Sequence, residues 1–101
     1  MLAIVYIPCG SKEEARRIST ALVKEKLAAC ANIVESSSIY EWEGKLKKTR
    51  EWVILAKTLD SKFKKLGARV EKLHSYEIPC IIKLPADANK AYLEWVEKQV
   101  R

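Results

Sequence analysis

Three glycines and three prolines in 101 residues are too few for a low-complexity, linker-like or collagen-like chain. Histidine, methionine and phenylalanine occur once each. The cysteines, Cys9, Cys30 and Cys80, are odd in number and show no Cys-x-x-Cys spacing. This excludes a disulfide framework or zinc ribbon and fits a reducing compartment. No apolar run approaches the ~18 residues of a membrane-spanning helix, so no membrane partner is expected. Gly-x-Ser-x-Gly, a phosphate-cradling glycine loop and His-Glu-x-x-His are missing too, and no catalysis is expected. What is there is 49% apolar and 32% charged, enough for a single packed domain over residues 1–101. The apolar start, Met1–Ile7, has no basic leader and no small-x-small cleavage site. It reads as a first β-strand rather than a signal peptide, and a cytoplasmic protein is expected.

Lys and Arg number 19 against 13 Asp and Glu, for a net charge of +6. The excess is concentrated: residues 45–72 carry net +7, while the flanking segments carry −1 and 0. Such a patch attracts nucleic acid or small anions, or else clothes a wet helix face. An RNA-recognition sheet stacks bases on aromatics within a Lys/Arg-Gly-Phe/Tyr block. Trp52-Val53-Ile54-Leu55-Ala56-Lys57 contains no such block, so no nucleic-acid partner is expected.

Along the chain, Leu2–Ile7 reads as a strand buried on both faces. Ser11 and Glu14 form a capping box that opens a helix ending near Lys26, with Ala15, Ile18 and Leu22 inward. Ala29–Val34 and Ile39–Trp42 read as strand, separated by Glu35-Ser36-Ser37-Ser38. Glu43-Gly44 suits a two-residue hairpin turn into 45–57. Leu59, Phe63, Leu66, Val70 and Leu73 give a helical stripe, capped by Asp60 or Ser61, with Gly67 placed for close packing on the sheet. Ile78–Leu84 reads as a strand entered at Pro79 and stopped by Pro85, and Ala88–Val96 as a last helix. The order βαββαβ followed by a helix is that of an α+β ferredoxin-like sandwich. A strand of ~14 residues spans about 46 Å, whereas a compact domain of this size is roughly 34 Å across. The hairpin should therefore overhang its core, exposing Ile39, Tyr40, Trp42 and Trp52 and inviting association with further copies of the chain.

Four blocks resemble the CutA-type divalent-cation tolerance family, in the family's order. They are Ala28-Ala29-Cys30-Ala31-Asn32-Ile33, Ser38-Ile39-Tyr40-Glu41-Trp42-Glu43-Gly44-Lys45, Leu73-His74-Ser75-Tyr76-Glu77-Ile78-Pro79 and Tyr92-Leu93-Glu94-Trp95-Val96. The resemblance implies a cytoplasmic homotrimer whose hairpins pair across subunits, concerned with tolerance to copper or another divalent metal ion. It also implies an architectural kinship with PII-like signalling trimers, which bind small anionic effectors between subunits.

His74 is the single imidazole, the commonest metal-ligand type. The resemblance points to a copper site combining a His-His pair with an N-terminal cysteine. Here Leu73 holds the first position of that pair and Ile7 the cysteine position, leaving Cys9 as the nearest thiol. Thiolate sulfur at Cys9 or Cys30 suits copper and zinc, while Cys30 and Cys80 also read as small buried hydrophobes. The candidate metal ligands are thus His74, Cys9 and Cys30. Tyr40, Trp42, Glu43, Trp52, Lys57, Tyr76 and Glu77 are candidates to line an inter-subunit cleft, or to pack a subunit interface.

Overall fold

A computed structural model describes residues 1–101. Four strands form one antiparallel sheet: β1 (Leu2–Cys9), β2 (Cys30–Trp42), β3 (Lys45–Leu59) and β4 (Ile82–Ala86), in spatial order β2-β3-β1-β4. With α1 (Lys12–Lys24) between β1 and β2 and α2 (Phe63–Leu73) between β3 and β4, this is the ferredoxin-like order. A third helix, α3 (Lys90–Gln99), follows.

Alternation along the strands decides the layers. Val5, Ile7 and Cys9 pair with Ala56, Ile54 and Trp52, and this face packs with Ala15, Ile18 and Leu22 of α1 and Leu66 and Val70 of α2. Trp52 therefore lies against the core rather than on the overhang. The other face presents Ile4, Tyr6, Leu55, Ile82 and Leu84. Helix α3 covers one end of it, where Val96, Val100 and Tyr92 meet Leu2, Leu59 and Ala86. Beyond that end, Val34, Ile82 and Leu84 are exposed.

The hairpin is continuous. Ser36, Ser37 and Ser38 stay in register with Glu51, Arg50 and Thr49, so the serines do not break it. Glu43 (φ 52°) and Gly44 (φ 78°) both have positive φ, the two-residue turn whose twist matches the strands. The arm stretches the subunit to 45 × 24 × 21 Å. Ile39 and Leu46 near its tip are 70% and 62% exposed, with Tyr40 and Trp42 also open to solvent.

Three boundaries differ from the sequence reading. β4 starts at Ile82 and runs through Pro85 instead of spanning 78–84. It pairs with β1 alone, so the missing proline N–H is tolerated at the sheet's edge. Leu59 ends β3; Asp60–Lys62 is a 3₁₀ turn, and no side chain caps α2. α1 stops at Lys24, with Lys26 in the left-handed region (φ 61°) turning the chain away. Gly67 is not wedged against the sheet: a Cβ there would meet nothing within 4 Å.

Candidate metal centre

The end of β1, the start of α1 and the end of α2 converge. Cys9 is the last residue of β1 and its side chain points into the core. The Ser11 hydroxyl accepts the Glu14 N–H at 3.1 Å, as a capping box requires. The Glu14 carboxylate, however, reaches past Ser11 and accepts the Gly10 N–H at 3.2 Å. Its second oxygen accepts the Ser75 N–H at 2.8 Å, across 61 residues of sequence. His74 ends α2 with its side chain fully buried, and its Nδ1 stands 4.0 Å from Glu14 Oε2. One donor atom from each of Cys9, Glu14 and His74 lies within 4.8 Å of the others.

Every member of this cluster already has hydrogen-bond partners. His74 Nε2–H donates to the Pro8 carbonyl at 2.7 Å, and Nδ1 accepts the Tyr76 N–H at 3.1 Å, which sets the tautomer. The Cys9 thiol approaches the Ile7 carbonyl at 3.9 Å. Burial, with Glu14 and Glu51 adding repulsion, pushes that thiol up to about 12. Glu14 feels opposing effects: burial works to raise it, but the hydrogen bonds from Ser75 and Gly10, with His74 beside it, hold it below the usual carboxylate value.

The sequence candidates separate. Cys9 and His74 come together, and Glu14 joins them. Cys30 does not: it lies opposite Lys57, itself opposite Ile4, five positions along β1 from Cys9. At ~3.4 Å per residue that is about 17 Å. Cys30 instead meets the Tyr92 hydroxyl at 3.2 Å, which with burial lifts that phenol to about 12. Cys80 lies outside any strand and is half-buried. Within one chain the cleft candidates are not a cluster either. Trp42, next to the turn, pairs with Lys45, whereas Lys57 lies twelve positions further up β3, about 40 Å away. The Lys57 ammonium is engaged by Asn32 Oδ1. Tyr40, Trp42 and Glu43 belong to the tip, and Glu77 is exposed beyond α2. Tyr76 stands at the root of the arm, its ring 4.6 Å from that of His74 and its hydroxyl 2.7 Å from Glu51; burial, Glu51 and nearby Tyr40 all push its phenol up. Glu14 escaped the sequence reading because its capping role accounted for it locally; the pairing with Ser75 has no local signature.

The chain has close counterparts among known proteins. The sequence profile of the CutA1 divalent ion tolerance protein family matches residues 3–99. The divalent-cation tolerance protein CutA of Thermus thermophilus is 45% identical over 100 residues, covering 97% of both chains. Its counterpart from Archaeoglobus fulgidus is 39% identical over 97 residues, covering 95% of both. Solved structures agree. The Archaeoglobus fulgidus protein superposes with a TM-score of 0.97 at 38% identity, and the Thermus thermophilus protein with 0.94 at 44%, each over the full length of both chains. The chain belongs to the CutA1 divalent ion tolerance protein family.

Proposed function

We propose that this divalent-cation tolerance protein acts by binding a metal ion, copper or another divalent cation, at Cys9, Glu14 and His74, without catalysis. The observation that carries this reading is the meeting of a thiol, a carboxylate and an imidazole within 4.8 Å. Mixed sulfur and nitrogen donors suit copper and zinc better than magnesium or calcium. In a tetrahedral site, ligands at bond lengths of 2.0–2.3 Å stand about 3.5 Å apart, so the cluster must contract by about an ångström. His74 Nδ1 is the nitrogen facing Glu14 and would ligate on giving up the Tyr76 N–H; Nε2–H, held by Pro8, would serve as the outer hydrogen bond that orients a ligating histidine. A thiol near 12 binds metal as thiolate, so binding releases a proton and affinity rises with pH. The net charge of +6 repels cations at a distance, which places the whole attraction on these ligands.

The chain is further proposed to work as a homotrimer in the cytoplasm. Its support is the exposed apolar arm, the uncovered Val34, Ile82 and Leu84 on the sheet, and three free thiols. The Archaeoglobus fulgidus structure is described as that of a periplasmic protein, so location is tested directly by fractionation. Calorimetric titration with copper and zinc, on wild type, His74→Ala and the conservative Cys9→Ser, tests the site. Weaker binding in both variants is expected, and isotherms identical to wild type remove it. Light scattering after size exclusion should give three times the 11.5 kDa subunit mass, and a clean monomer refutes the assembly.

A further inference from the structure

Cys9 and the His74 side chain are fully buried, so any ion that reaches them must pass a cover. That cover is Tyr76. Its ring tilts 57° against His74 with centroids 4.6 Å apart. It also presses on Gly10, where an added Cβ would stand 3.2 Å from the ring. The hydroxyl donates to Glu51 Oε2 at 2.7 Å. Glu51 is a buried β3 carboxylate at the root of the overhanging arm, where the Ser38 hydroxyl of β2 also donates to it. The segment carrying Tyr76 is otherwise lightly held. Residues 75–81 make no backbone–backbone hydrogen bond, and their ties here are the Ser75 N–H to Glu14, the Tyr76 N–H to His74 and the Tyr76 hydroxyl to Glu51. A stretch without ladder bonds opens at low cost compared with the sheet beneath it.

We infer that Tyr76 is a hinged cover over the Cys9–Glu14–His74 cluster, and that Glu51 is the bolt by which the hairpin root holds it shut. The state of the arm then sets access to Cys9. The inference rests on the proposed metal reading for what enters; the cover itself is read from the reachability of the thiol. Tyr76→Phe deletes this hydrogen bond to an anion, equivalent to about a tenfold shift toward the open form, and Glu51→Gln weakens it to a neutral one. Gly10→Ala wedges the ring outward by a different route.

The test is alkylation of the full-length protein with N-ethylmaleimide, followed at each cysteine by peptide mass spectrometry. Cys9 should react about tenfold faster in Tyr76→Phe, and faster by a smaller factor in Glu51→Gln and Gly10→Ala, while Cys30 at the other end of the sheet keeps its rate. An unchanged Cys9 rate in the bolt variants overturns the inference. So does a parallel rise at Cys9 and Cys30, which signals general loosening. Faster Cys9 labelling in a protein that binds neither copper nor zinc upholds the cover and removes the metal reading alone.

Discussion

Glu14→Gln keeps the side chain's size and removes its charge, isolating what the carboxylate does. One oxygen accepts the Gly10 N–H and the other the Ser75 N–H, in a side chain only 7% exposed. Glutamine offers one acceptor oxygen and must turn its NH₂ toward the second N–H, leaving that donor unpaired. A hydrogen bond to a charged group contributes about 1.5–3 kcal/mol, so a loss of about 2 kcal/mol is expected. For a chain of about 100 residues that lowers the melting temperature by about 8–16 °C. The proposed self-association would make stability concentration-dependent, so wild type and variant are compared at one protein concentration. The pH dependence provides an independent check. The folded Glu14 carboxyl lies below the ordinary value of 4.5, held there by Ser75, Gly10 and His74 against burial. Its contribution is therefore fully present above that ordinary value and fades as pH falls through the lower folded one. Wild type should lose this increment on acidification, and Glu14→Gln should not. Equal urea midpoints at neutral pH, or parallel acid profiles, would refute the reasoning.

Two smaller predictions concern backbone conformation. Glu43 occupies the left-handed region at φ 52°, which disfavours side chains other than those of Asn, Asp and Gly. Glu43→Asn should stabilise the hairpin by about 0.5–1 kcal/mol, seen as a higher urea midpoint; an unchanged or lower midpoint contradicts this. Gly67 lies inside α2 with open space where a Cβ would go. Gly67→Ala should raise stability by about 1 kcal/mol, and an unchanged or lower urea midpoint contradicts this.

The fold was legible where chemistry is local. Leu2–Ile7, the Ser11 cap, the Glu43-Gly44 turn and the Leu66–Val70 stripe each announce themselves within a few residues. The last strand did not, because Ile78–Leu84 is apolar enough to be strand throughout. Only its partner β1 selects Ile82–Ala86, and only its edge position excuses Pro85. The candidate site was half legible for the same reason. The types of Cys9 and His74 marked them, but nothing in the sequence says that the long intervening stretch folds so that the two meet. Cys30 carried the same chemical signal and lies at the opposite end of the sheet. Glu14 had an adequate local explanation, which hid its distant one.

The nested register of the arm has a kinetic consequence. Trp42 pairs with Lys45, Tyr40 with Lys47, Ser36 with Glu51 and Cys30 with Lys57, each pair enclosing a loop that its predecessor has already closed. The entropy of loop closure is met once, at the turn, and the arm can zip outward on the ~1–10 μs scale of hairpins. The β1–β4 ladder instead joins residues no nearer in sequence than Tyr6 and Ile82, and its closure entropy grows with that separation. The arm therefore forms early and the β4 edge late. A newly made chain displays the exposed apolar side chains of its arm, Ile39 and Leu46 among them, before its own sheet is complete.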